Sequence, residues 1–288
     1  SECKKILWLW NFFRSLMTLK YFYKPDLLSF FSLSGKDSID LINRLSTSNI
    51  NDTDNEITKT IFTNENGRII DVVSIWRINE EKLILICNTE NKKSLIEWID
   101  KFTFEEDINL KESDQYQLIH AFNDNKIIQF KDFDLVDNKI KQFNDDFDFF
   151  YISKSSFLNQ HETIDLIFDK KLSDEVHDTL LSQDFKEINH EEFSSFKIKN
   201  VIPFGHNEIN LSFNPLELNL IHLVDFEKGC YVGQEVIARL DTYDKVQKKL
   251  TMINKVNSGN LINSPGSQIT SEDKDNCMIV VRKKFLDN

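Results

Sequence analysis

The chain has 288 residues, enough for one large domain or two to three small ones. Hydrophobic residues make up 40%, which supports a full core and excludes global disorder. The net charge of −12 argues against direct binding of tRNA or DNA, which calls for a basic face.

Cysteines stand at 3, 87, 230 and 277, with no CxxC pair. That spacing excludes a disulfide framework and points to a reducing compartment. It also argues against a metal or iron–sulfur cluster held by this chain alone. No run approaches the ~18 apolar residues of a transmembrane helix, so no membrane partner is expected. Phe is abundant at 24 while Gly (7) and Pro (4) are scarce, a bias of the genome rather than a physical signal. Residue 1 is Ser and the first Met is Met17. Lys4 to Phe13 has a basic start and a short apolar run, but no small-residue cleavage site follows. A mitochondrial presequence would be richer in Arg and Ser. Residues 1–16 are therefore read as an extension outside the fold, and the compartment as cytoplasmic, with the mitochondrial matrix as the alternative.

In chain order, Leu27 to Leu33 reads as a strand and Ser34 to Asp37 as a turn. Asp37 or Ser38 can cap a helix through Ile39, Leu41, Ile42 and Leu45. Thr58 to Phe62 and Arg68 to Arg77 form a hairpin about Asn64 to Gly67. Lys82 to Cys87 is a buried strand, Asn91 to Lys101 an amphipathic helix on Leu95, Trp98 and Ile99, and Ile108 to Glu112 a strand. Short strands follow at Tyr116 to His120 and Lys126 to Phe130. Asp132 to Asp148 is acidic and reads as solvated surface. Strands resume at Phe149 to Ser153 and Ile164 to Phe168, then a helix from Ser173 to Gln183 capped by Ser173. Phe185 to Ile188 is a strand and His190 to Lys199 a helix. Leu250 to Val256, Gln268 to Thr270 and Met278 to Val281 make a small all-β tail. The order of elements in the first half is echoed in the second, an α+β pattern.

One stretch, Phe226 to Arg239, concentrates the chemistry. Gly229 and Gly233 bracket Cys230, and Gln234 to Leu240 favour helix. This reads as a tight turn opening a short helix, with the thiol just before its start. Lys228 and the helix N-terminus should lower the thiol pKa. Locally, a reactive thiol and a merely packed one are equally compatible with these residues.

Lys228-Gly229-Cys230-Tyr231-Val232-Gly233-Gln234-Glu235 resembles the KGCYxGQE signature of the YgfZ family, folate-binding proteins similar to the aminomethyltransferase (GcvT) of the glycine cleavage system. Leu33 to Asp37 with Leu41 and Leu45 resembles the family's "vsGxDaxxfL", and Phe62 to Asp71 its "nxxGrixd" hairpin. Ile202, Pro203, Gly205, Glu208 and Ile209 resemble its "G-I-P-x-x-G-x-E-I". Ala238 and Arg239, with Asp241 to Val246, resemble its link into a C-terminal barrel. The resemblance spans about residues 24 to 288. Three places depart from it. Asn49 stands where an acid is common, Lys197 and Asn200 replace Arg and Gly, and the C-terminal part is short.

The resemblance implies a GcvT-like ring of α/β folate-binding subdomains followed by a small, trimmed C-terminal β-barrel. The boundaries are 17–244 for the ring, with two interleaved subdomains, and 245–288 for the barrel. It implies tetrahydrofolate as cofactor and support of iron–sulfur cluster assembly or repair in client enzymes, such as a tRNA methylthiotransferase. Any effect on tRNA would then be indirect. Cys230 takes the functional role, and no turnover reaction is assigned. Candidate folate contacts are Lys228, Tyr231, Arg239, Glu217, Arg68 and Asp71, each with a structural alternative: surface lysine, core packing or ion pairing. Glu217 lies near where aminomethyltransferases keep a pterin-binding Glu. Gln234 and Glu235 would hydrogen-bond the helix start. His206 and His222 read as structural groups. A folate-dependent one-carbon transferase and a non-catalytic interaction module are the alternatives.

Overall fold

The protein is described by a computed structural model covering residues 19–50, 53–80, 82–124, 135–144, 149–256 and 261–286. Side-chain alternation along β5 (Lys82–Asn88) sets the two faces of the first sheet. Strands β2 (Leu28–Ser34), β3 (Glu56–Thr63), β4 (Ile69–Asn79), β5 (Lys82–Asn88) and β6 (Asn109–Ser113) form an antiparallel sheet of order β3-β4-β5-β2-β6. Leu83, Leu85 and Cys87 point to one side, against Leu41 and Leu45 of α1 (Ser38–Leu45) and Leu95 and Ile99 of α2 (Lys92–Lys101). Ile84 and Ile86 point to the other side, as a two-residue period requires.

The second sheet has the order β11-β1-β7-β10-β9-β8. Its strands are β1 (Lys20–Tyr23), β7 (Tyr116–Asn123), β8 (Ile140–Asn144), β9 (Phe149–Ser156), β10 (Glu162–Asp169) and β11 (Phe185–Glu187). The chain therefore starts in this sheet, leaves to build the first, and returns. Tyr116, Leu118, Tyr151 and Ile167 meet Trp76, Ile84 and Ile86 in one cluster, so the two sheets pack face to face. The outer face is covered by Val176 and Leu180 of α3 (Ser173–Ser182). Helix α4 (His190–Asn200) follows, held by an Asn189–Glu192 capping box.

A third sheet, order β12-β14-β13, comprises β12 (Lys248–Asn254), β13 (Gln268–Glu272) and β14 (Asn276–Arg282). Its Leu250, Met278 and Val280 join Ile61, Ile69 and Ile198 in a shared core. Ile209, Phe213, Leu218 and Leu220, from the irregular chain between α4 and α5 (Gln234–Thr242), complete that core.

Several expectations need correction. Among the described residues the third sheet is open, since β12 and β13 each pair only with β14; a barrel needs every strand to have two neighbours. The acidic stretch carries β8, because the free edge of β9 offers backbone partners and Ile140 finds burial. Ser173 is helical; Asp169 instead accepts from the Lys171 amide and caps a 3-10 turn leading into α3. The Asp37 carboxylate accepts from the Asp107 amide (2.7 Å) rather than capping α1. The strand expected over Lys126 to Phe130 lies outside the described residues.

Candidate functional site

Glycine sterics place the motif loop. Gly233 has φ of +89°, and a Cβ there would lie 2.5 Å from the Asn64 carbonyl oxygen and 3.2 Å from the Gly67 Cα. The β3–β4 turn and the start of α5 thus touch through two glycines. Thr63 fixes the approach by donating to the Val232 carbonyl at 2.7 Å. Gly229 is different: its φ is not positive and a Cβ would meet nothing within 4 Å. Among the described residues no side chain caps α5, so Gln234 and Glu235 do not bond its start as expected.

Lys228 reaches across to the end of α1. Its Nζ donates to the carbonyls of Asn43 (2.9 Å), Ser46 (2.8 Å) and Ser48 (2.7 Å). Asn43 lies in the last turn of α1 and Ser46 is its C-cap, where carbonyls lack helical partners and carry partial negative charge. Burial pushes the ammonium down to about 8, with Asp225 opposing. Those bonds commit its Nζ to the fold, the structural alternative to a folate contact.

Tyr231 is buried with Val224 and Ile237, which supports packing rather than pterin stacking. Burial pushes its phenol up to about 12. Arg239 is exposed on α5 and makes no ion pair among the described residues. Cys230 is exposed, whereas Cys87 and Cys277 are buried. Arg68 pairs with Glu217 at 3.2 Å, and the Glu217 carboxylate also accepts from the Asn214 amide. The Glu217 carbonyl accepts from the Leu250 amide, so this pair ties the first hairpin to the third sheet. Asp71 is fully buried and accepts from the Asn88 amide and from Asn91 Nδ2, both at 2.9 Å. Burial pushes its carboxyl up to about 6, against those hydrogen bonds.

None of these seven residues lines the two cavities at the centre of the molecule. An apolar cavity of about 70 Å³ lies between the sheets, bounded by Val72, Ile86, Leu118, Phe157 and Phe204. Leu28, Asn88, Phe204 and Gly205 also border a cleft of about 830 Å³ with a mixed polar and apolar lining. Asp71 touches this space through Asn88. In the cleft, Lys197 bonds Glu208 at 2.9 Å, and Ser271 of β13 donates to the other Glu208 oxygen at 2.6 Å. His206 also borders the cleft, its Nδ1 2.6 Å from Asn91 Oδ1.

Among the polar residues that border the smaller cavity, sequence reasoning missed His120 and Lys59 as candidates. His120 Nδ1 lies 2.7 Å from Asp165 Oδ1, and Lys59 Nζ 3.7 Å from Asp165 Oδ2. Burial alone would raise the Asp165 carboxyl, but His120 and Lys59 hold it below the usual carboxylate range. Burial lowers Lys59. The available signal was a titratable residue inside an apolar strand: His120 within β7 and Asp165 within β10.

Against solved structures, the chain superposes on the glycine cleavage system aminomethyltransferase of Bartonella henselae with a TM-score of 0.71, covering 92% of this chain and 78% of that one at 13% identity. The fold is the aminomethyltransferase fold. Residues 26–120 match the GCVT N-terminal domain, which covers the first sheet and its helices. An Arabidopsis thaliana protein described as a chloroplastic transferase is 27% identical over 222 residues, 75% of this chain and 50% of that protein. An aminomethyltransferase of Thermosipho melanesiensis is 35% identical over 89 residues, 30% of this chain and 24% of the enzyme. That of Thermotoga neapolitana is 22% identical over 255 residues, 84% of this chain and 69% of the enzyme. This chain thus spans half of the plant relative and about a quarter of the Thermosipho enzyme. Among the described residues no helix is long and apolar enough to cross a membrane.

Proposed function

We propose that the cleft and the cavity beside it hold tetrahydrofolate, with an edge of the flat pterin reaching between the sheets and the rest in the cleft. One observation carries this: in an aminomethyltransferase fold, an apolar slot between the two facing sheets shares Leu28, Asn88, Phe204 and Gly205 with a large cleft bordered by α4 and β13. Pockets of this kind suit a ligand with an aromatic body and a polar tail. Calorimetric titration with tetrahydrofolate tests it. Saturable binding is expected, and its absence at micromolar to millimolar ligand would overturn the reading.

Within that reading we infer a YgfZ-type role, supporting iron–sulfur clusters in client enzymes and affecting tRNA modification only through them. It rests on the Lys228–Glu235 motif, whose thiol is exposed on a loop braced by Gly233 and Lys228. An exposed thiol on a fixed loop is placed to meet another protein. The test is complementation of a deletion strain. Cys230→Ala is expected to leave iron–sulfur enzyme activity unrestored, and full restoration would remove the thiol from the mechanism. The proposed compartment is the reducing cytoplasm, with the mitochondrial matrix as the alternative.

Asp71 favours a second reading, aminomethyl or other one-carbon transfer. A buried carboxyl pushed up to about 6 beside the cavity wall can exchange a proton near neutral pH. Transfer of an aminomethyl carbon to tetrahydrofolate by the pure protein would establish it.

A further inference from the structure

The second sheet puts a polar cluster into an otherwise apolar cavity. His120 comes from the middle of β7 and Asp165 from the middle of β10; the two are register partners in adjacent strands. Both are almost completely buried. Their Nδ1–Oδ1 separation is 2.7 Å, and the Thr163 hydroxyl donates to the same oxygen at 2.8 Å. Lys59, crossing from β3 of the first sheet, lies 3.7 Å from the other carboxylate oxygen and also donates to the Ser156 carbonyl. Asp165 is thus surrounded by partners and cannot itself be the group that meets a ligand.

His120 can. Its ring packs edge-on to Phe204, with centroids 5.9 Å apart, and tilted against Phe157 at 5.1 Å. Like those two phenylalanines, it borders the cavity. With Nδ1 committed to Asp165, the opposite ring nitrogen, Nε2, has no protein partner among the described residues. Carboxylates fix imidazoles in this way, setting which nitrogen is offered outward. The cavity is about 70 Å³, against the roughly 10–15 Å³ that one water requires. It is too small to enclose a ring, since a cavity of about 150 Å³ holds benzene, so the edge of a flat ring enters it from the adjoining cleft.

We propose that His120 Nε2, oriented by Asp165, is the polar recognition point for a flat nitrogen heterocycle seated in the cleft with its edge entering the cavity, pairing with a ring N–H or amino group on that edge. The ligand class is a heteroaromatic ring with a donor edge, and the proposal rests on the reading that a reduced folate fills this space. Lys59 and Thr163 complete the coordination of Asp165, so the imidazole does not have to move to keep the carboxylate satisfied. The cluster joins the two sheets at the cavity, since Lys59 belongs to one and Asp165 to the other.

The experiment compares 5-formyltetrahydrofolate binding by the full chain and two variants, measured by calorimetry. In His120→Asn the side-chain amide stands where Nδ1 stood, keeping the bond to Asp165 but offering nothing to the cavity. In His120→Gln the amide reaches the Nε2 position. About tenfold weaker binding is expected for His120→Asn, with most of the affinity kept in His120→Gln. Wild-type affinity in both, or equal loss in both, would overturn the proposal, the latter because it reports packing. Failure of the wild-type chain to bind would instead remove the folate reading and this proposal with it. A wild-type measurement stands apart from variant folding: the ¹⁵N resonance of His120 Nε2 is expected to shift on saturation. An unmoved resonance in a saturated sample overturns the contact while leaving folate binding intact.

Discussion

Lys228 donates to the carbonyl of Ser46 at 2.8 Å, across the junction between the motif loop and the C-terminal end of α1. The same Nζ reaches Asn43 and Ser48, so one cation serves carbonyls that the helix leaves unpaired. Conversion of Lys228 to Met keeps the stem and removes the donors. It should cost about 2 kcal/mol, the scale for stranding buried acceptors. Urea unfolding reads the loss, and tetrahydrofolate titration of the folded variant should give wild-type affinity. Unchanged stability with lost affinity would return Lys228 to the ligand.

Gly233 and Gly229 should answer oppositely to alanine. At Gly233 the left-handed backbone costs a non-glycine residue roughly 1–2 kcal/mol, and the new Cβ also meets the Asn64 oxygen at 2.5 Å. Gly233→Ala is therefore expected to destabilise the chain by about 2 kcal/mol or more. Gly229→Ala, in open space, should stay within about 0.5 kcal/mol of wild type. Thermal melts of the two variants decide it, and similar losses in both would contradict the steric account.

The contrast shows what the sequence made legible. Glycines and apolar periods are local signals, so the β3–β4 hairpin, α2 and the turn before α5 could be read directly. The acidic stretch hid β8 because an edge strand needs only one buried side chain, here Ile140. Proximity was the larger difficulty. Motif residues clustered in sequence suggested one pocket, yet Lys228 serves α1 and Tyr231 the core. The cavity draws instead on His120, Lys59 and Phe204, widely separated in the chain and brought together by the facing of two sheets. Pairing of β7 with β10 sets His120 against Asp165, and no local pattern carries that register.

Asp71 gives a pH signature with a defined sign. Its carboxyl is pushed up to about 6 in the fold, against roughly 3.9 in an unfolded chain. The folded state therefore favours the protonated form. That contribution is complete below about pH 4 and is lost as pH rises through about 6, on the order of 2–3 kcal/mol in all. Asp71→Asn cannot titrate, so its offset from wild type should change over this window and be flat above it. Urea midpoints of both proteins from pH 4 to 7 provide the measurement. A constant difference throughout would mean that the carboxylate is as well solvated by Asn88 and Asn91 as by water.

Cys230 should be the reactive thiol of the described region. Burial raises the thiol pKa of Cys87 and Cys277, which lowers their thiolate fraction and blocks access, whereas Cys230 stands exposed on its braced loop. Brief treatment of the native protein with iodoacetamide, followed by peptide mass spectrometry, should label Cys230 and leave Cys87 and Cys277 unmodified. Unfolding in urea should then expose the latter two. The Gly233→Ala variant provides a further comparison: if the loop geometry governs the thiol, its Cys230 alkylation rate will differ from wild type although the residue stays exposed. An identical rate would mean that the glycine contact supports the fold alone. Labelling of Cys87 at the rate of Cys230 would contradict the packing of β5 against α1 and α2, because that thiol lies in their shared core.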